Sequence, residues 1–281
     1  PDVPRTMISE DLLMDTVDPQ QKTDFQLIEN IPFTTAKVIG SRASIGMVVL
    51  ASDYTIEHEF RTLIDMPGVD VFEARIRNDP QVTPETLAAM EPLLTSTAEL
   101  ILPGDRVDVL GFGCTSASMV LGSERIDTLL RAAKPDARTT NPIAAAFAAF
   151  DALGARRIGV LTPYRRDVNE IVHAYITRHG YEVPVFGSFN EEMDPVVATI
   201  DADSLIAAID TIRDGYDLDA VFVSCTSVRL ADSVASIEAR TGLPVTSSNH
   251  ALAWHCLRLA GIEDAIEGRG RLFETGLAAT A

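Results

Sequence analysis

The 281-residue chain carries 41 Asp and Glu against 23 Lys and Arg, a formal net charge of −18, with 46% hydrophobic residues and three cysteines. Such a charge repels phosphate backbones and acidic membrane surfaces, which excludes a nucleic-acid or membrane partner, and no run approaches the ~18 apolar residues of a membrane span. The cysteines are far apart, with no CxxC pair and no histidine at metal-ligand spacing, which excludes a disulfide framework and a structural metal.

Residues 1–36 are polar and irregular, broken by Pro19 and Pro32, with a short helix predicted around Ile8 to Met14. We read them as an arm that packs on a partner subunit. The opening PDVPRTMISEDLLMDTVDPQQK is neither basic nor apolar and does not resemble a targeting peptide, so the expected location is cytoplasmic. From Lys37 onward, short apolar runs alternate with amphipathic stretches, the pattern of βα units around a mainly parallel sheet, and the predicted class is α/β. Strands are predicted at 44–52, 69–76, 107–113, 157–163, 182–189 and 219–225. The two halves repeat: SIGMVVLASD matches RIGVLTPY, DVLGFGCTSAS matches AVFVSCTSVR, and TTNPIAAAFAAFDALGA matches SSNHALAWHCLRLAGI, in one order and at nearly equal spacing. A duplication of about a hundred residues follows, longer than a solenoid period. It predicts two pseudosymmetric lobes, 37–141 plus 250–281 and 142–249, whose equivalent strand-end loops converge on one cleft.

Each lobe brings a Cys-Thr-Ser to that cleft. Cys114 and Cys225 both end an apolar strand ahead of helix-compatible sequence, so amide groups and a helix start are expected to stabilise a thiolate there. Thr115, Ser116, Thr226 and Ser227 supply hydroxyls and amides to bracket a carboxylate and its developing enolate. A lone cysteine at a strand end is more often inert packing, but here that reading must hold twice, with Thr and Ser following both times. Cys256, in the helical pattern ALAWHCLRLA, reads as core. The five histidines sit beside no nucleophile motif; His250, after a predicted N-cap at Asn249, either faces the cleft or is a satisfied histidine. Phosphate-loop and dinucleotide fingerprints are missing, so no nucleotide cofactor is indicated.

The segments IGMVVLASDYTIEHEF, GFGCTSAS, RIGVLTPYRRDVNEIV and VSCTS, in this order between about Ser41 and Gly261, resemble the aspartate/glutamate racemase superfamily, in particular its branch of maleate cis-trans isomerases and ectoine-utilisation proteins. The resemblance implies two α/β lobes around an interdomain site, no metal or organic cofactor, and a homodimer or larger assembly. It implies that Cys114 and Cys225 are the catalytic pair, that Tyr164 contacts substrate, and that the residues after each cysteine bind a carboxylate. Retention of both cysteines argues against the arylmalonate decarboxylase relatives, which manage with one thiol. Asp53 and Asp194 stand where maleate isomerases carry asparagines; a carboxylate there repels a dicarboxylate and suits an ammonium group. The expected substrate is therefore a small, amino-acid-like carboxylate such as diaminobutyrate or its acetylated form, racemised by the two thiols. The alternatives are maleate cis-trans isomerisation by covalent cysteine addition and a non-catalytic small-molecule binding protein.

Overall fold

The structure, a computed structural model, describes residues 26–279, so the helix predicted around Ile8 to Met14 lies outside the described residues. Residues 26–36 carry neither helix nor strand. The remainder, from Lys37 on, forms its own compact unit.

Two four-stranded parallel sheets organise that unit. Strands β1 (Ala43–Leu50), β2 (Val69–Ile76), β3 (Val109–Gly113) and β4 (Arg138–Thr140) lie in the order β2-β1-β3-β4; β5 (Arg157–Thr162), β6 (Glu182–Ser188), β7 (Ala220–Val223) and β8 (Val245–Ser247) lie in the order β6-β5-β7-β8. Identical strand order is the structural counterpart of the repeat, and the α/β class with two lobes is what the alternation predicts. All eight residues of β1, ASIGMVVL, are buried, as expected for a parallel strand covered on both faces. Gly111 of β3 pairs with Met47 of β1, and a Cβ at Gly111 would stand 2.4 Å from the Met47 sulfur, so a larger residue there would displace that buried side chain. The sequence reading misses β4 and β8: RTT and VTS are three residues each, too short and too polar for a periodicity to register.

Helices α1 (Ile56–Leu63), α2 (Pro84–Ala88), α3 (Glu91–Ala98), α4 (Thr115–Leu121), α5 (Ser123–Ala133) and α6 (Pro142–Leu153) accompany the first sheet in sequence. The second is accompanied by α7 (Arg166–Arg178), α8 (Asp194–Val197), α9 (Ala202–Arg213), α10 (Val234–Thr241) and α11 (Ser248–Leu259). The start of α6 is set by Asn141, whose side chain accepts from the Ala144 amide, and by Pro142 at the first position; its end is set by Gly154 in the left-handed region at φ 66°.

The last helix of each half packs across the boundary. From α6, Phe150 meets Phe222 of β7 edge-on, with ring centroids 5.5 Å apart. From α11, Ala251, Leu252 and Trp254 join the core formed by Ile45, Met47 and Val109 of the first sheet. The chain beyond α11 is tied down by Arg258, which donates to the carbonyls of Ile262, Phe273 and Thr275 at 2.6, 3.0 and 3.0 Å. Among the described residues no helix is long and apolar enough to cross a membrane.

Candidate active site

The carboxyl ends of the central strands of both sheets point at one small cavity. It is lined by Cys114, Thr115, Ser116, Tyr164, Asp194, Cys225 and Thr226, so seven of the nine residues singled out from sequence come together there. Asp53 and Ser227 do not line it. The remaining wall went unread: Asn78, Asp79 and Thr86, with an apolar face of Leu50, Val82, Leu87 and Met90. Most of this wall comes from the segment between β2 and α3, whose residue types carry no signal of chemistry. The free space is only about 10 Å³, that of about one water molecule.

Closure is a backbone matter. Gln81 and Met193 form an antiparallel bridge, the Val82 amide donates to the Glu192 carbonyl at 3.1 Å, and the Asp194 amide donates to the Pro80 carbonyl at 3.2 Å. The segment after β2 is thereby stitched to the segment before α8, over the two thiols.

Cys114 follows β3 directly and is the N-cap residue of α4; its sulfur makes no capping hydrogen bond, lies near the Ala117 amide and has Ser116 Oγ 3.8 Å away. Cys225 differs from the sequence expectation. No α-helix begins soon after it; Thr226 to Leu230 are turn and coil, and α10 starts only at Val234. Its sulfur lies instead near the Ser227 amide and the Tyr164 hydroxyl, and Tyr164 is also near Ser116 and Cys114, so the tyrosine stands between the two Cys-Thr-Ser segments. Both thiols are almost wholly buried, 3% and 4% exposed. Burial pushes Cys114 up to about 12 and Cys225 higher still, against the pull of the amides, and nearby Asp194 and Asp53 add to the rise. Desolvation thus outweighs the amide donors, opposite in direction to the lowered thiolate expected from sequence.

The hydroxyls are largely spoken for. Thr115 Oγ1 donates to Ser248 Oγ at 2.7 Å, and Ser227 Oγ donates to Asp194 Oδ1 at 3.0 Å, which corrects the reading of Ser227 as a free carboxylate donor. Asp194 is clamped on its other oxygen by Ser52 Oγ at 2.9 Å, and burial raises its carboxyl above the usual range. Asp53 is a local cap, its Oδ1 accepting the Thr55 and Ile56 amides at 2.6 and 2.9 Å at the start of α1. Asp53 Oδ2 is buried without a hydrogen-bond partner, and burial pushes this carboxyl up to about 6.

Other expectations resolve into core. His250 is fully buried, its Nε2 on the Arg269 carbonyl at 2.6 Å and its Nδ1 on the Thr246 hydroxyl at 3.0 Å, with burial lowering it to about 4. It is a satisfied histidine, turned away from the cavity. The N-cap of α11 is Ser247, which accepts the His250 amide; Asn249 lies inside the first turn and has a different task. Cys256 is fully buried within α11.

A protein-family model described as arylmalonate decarboxylase matches residues 84–273. The chain belongs to the arylmalonate decarboxylase family. Within reach of that family, a maleate isomerase of Pseudomonas putida is 29% identical over 244 residues, which cover 81% of this chain and 96% of the relative. A Nocardia farcinica maleate cis-trans isomerase, solved as a cysteine-to-serine mutant with a covalently bound succinylcysteine intermediate, superposes with a TM-score of 0.76 at 26% identity, covering 83% of this chain and 98% of that one. A cysteine-to-alanine variant of a Pseudomonas putida maleate isomerase with maleate matches equally well, with a TM-score of 0.76 at 27% identity over 84% of this chain and 99% of that one.

Proposed function

We propose that the chain is an isomerase of a small carboxylate that works with Cys114 and Cys225 as a facing thiol pair, without a redox or organic cofactor. The observation that carries this reading is the pair itself: two thiols from equivalent loops in one closed cavity, on a chain that aligns nearly end to end with maleate isomerases. The lobes that carry them we divide at 37–141 plus 250–281 and 142–249, a division supported by the crossing of α11 to the first sheet.

Of the two chemistries open to such a pair, the succinylcysteine captured in the Nocardia relative favours covalent cis-trans isomerisation over the racemisation expected from sequence. One sulfur bonds to an alkene carbon; the π pair moves to the neighbouring carbon, which takes a proton from the opposite thiol. Rotation about the new single bond is followed by the reverse steps: the proton returns to the thiol and the carbon–sulfur bond breaks to regenerate the alkene. Burial disfavours the charged form of both thiols, so the attacking one passes its proton to a carboxylate of the substrate as the carbon–sulfur bond forms and takes it back when that bond breaks, with the Tyr164 and Ser116 hydroxyls nearby.

A second reading, stereoinversion of an amino-acid-like substrate such as a diaminobutyrate from ectoine breakdown, is favoured by the charge of the cavity. Its charged lining is Asp79 and Asp194, with no Lys, Arg or His, which suits an ammonium group. A panel of maleate, aspartate, glutamate, diaminobutyrate and its acetylated forms, incubated with purified protein in heavy water, separates the readings. Maleate converted to fumarate supports the first. Deuterium entering the α-carbon with inversion supports the second, and silence across the panel defeats both in favour of a binding protein.

A further inference from the structure

We propose that Glu59 is the positioning residue of Cys225, acting on it from the other half of the chain through Asn249 and the loop amides. The two cysteines are held by different means. Cys114 leads straight into α4, whose first turn supplies an ordered amide at Ala117. Cys225 leads into five residues of turn and coil, and no helix of its own lobe orders their N–H and C=O groups.

Side chains of the first lobe order them instead. Glu59 on α1 is 2% exposed, and its Oε1 accepts the Leu230 and Ala231 amides at 2.7 Å each. Its Oε2 accepts Asn249 Nδ2 at 2.8 Å, and the same Nδ2 donates to the Thr226 carbonyl at 2.7 Å. One nitrogen thus ties the residue after Cys225 to the carboxylate. Four residues upstream of Glu59, Thr55 Oγ1 donates to the Ser227 carbonyl at 2.8 Å. Ser227, whose amide faces the Cys225 sulfur, is therefore pinned at its carbonyl by Thr55 and at its hydroxyl by Asp194.

The orientation of Asn249 shows which partner dictates the arrangement. Its Oδ1 is buried with no hydrogen bond, a cost that turning the amide over would not relieve without removing the donor from both Glu59 and Thr226. Three N–H groups converge on the two oxygens of Glu59, whose carboxyl burial pushes up to about 7, and this set of bonds holds the amide as it is. Glu59 touches neither thiol and does not line the cavity; it acts through the loop.

The effect on turnover rests on the thiol-pair reading, whereas the effect on Cys225 itself does not. The test is Glu59→Gln, which keeps the shape but turns one acceptor into a donor facing donors. Alkylation of each cysteine by iodoacetamide is followed by mass spectrometry, alongside kcat and KM on whichever substrate the panel identifies. Expected are a change of about tenfold or more in the Cys225 rate, Cys114 and Cys256 within about twofold, and kcat down about tenfold or more with KM nearly constant. A Cys225 rate within about twofold of the parent overturns the proposal, as does a shift of all three cysteines together, which marks general loosening. Thr55→Val, which removes one tether and little volume, guards against a misfolded Glu59 variant: it is expected to give the same Cys225-selective change at smaller amplitude, and no selectivity overturns the proposal. If the parent turns over nothing in the panel, the alkylation pattern alone decides the positioning role while the isomerase reading falls.

Discussion

Cys114 and Cys225 each close a buried strand and carry Thr and Ser behind them, and both line the cavity. Their proton affinity depends on how completely neighbours from distant segments exclude water. If the pair works as a unit, Cys114→Ser and Cys225→Ser should each lower kcat by about a hundredfold or more while leaving the fold intact, as followed by turnover and circular dichroism. One variant retaining parental activity would end the two-thiol mechanism. Asp53, expected to face substrate, and Glu59, which the sequence does not single out, are both 2% exposed. For Asp53, the folded state holds a proton up to about pH 6 that the unfolded chain releases near 3.8. This contribution to stability is complete below the lower value and is lost as pH rises through the higher one, at up to about 1.4 kcal/mol per pH unit. Asp53→Asn preserves the oxygen that caps α1, so urea unfolding between pH 4 and 6 should lose part of that downward slope. An unchanged slope would mean that Asp53 ionises normally in the fold.

Six of the eight strands were readable as apolar runs, and the two that were missed are the three-residue edge strands β4 and β8. What sequence did not disclose was how the irregular segments behave. The stretch from Asn78 to Met90 looks like an ordinary connection, yet it supplies six of the fourteen residues that line the cavity and pairs with Met193 through Gln81. With about 10 Å³ free inside, the wall must move to admit a substrate, and this bridge is where we expect it to part. A Gln81→Cys, Met193→Cys double variant should therefore lose most of its turnover when the new cysteines are oxidised and regain it on reduction, measured beside the parent under the same treatment. Activity that survives oxidation would show another way in.

At the scale of the molecule, pattern matching succeeded where information was redundant: two similar sets of strands produced two sheets of the same order. It failed at asymmetries, because a repeat invites equal treatment of both copies. The helix expected after Cys225 is missing because the first lobe's Thr55 and Glu59 satisfy the backbone that a helix satisfies after Cys114. The crossing of α6 and α11 has a bearing on where such a molecule comes from. A gene for one half alone would yield a chain whose final apolar helix kept part of its surface uncovered, the part that Phe150 of α6 turns to Phe222 and that α11 turns to the first-sheet core. Two copies exchanging those helices would solve the difficulty for each other, with their cysteines meeting at the two-fold axis. Joined end to end, such copies are free to diverge, and the unequal support now given to Cys114 and Cys225 is what an ancestor with identical subunits was forbidden to have.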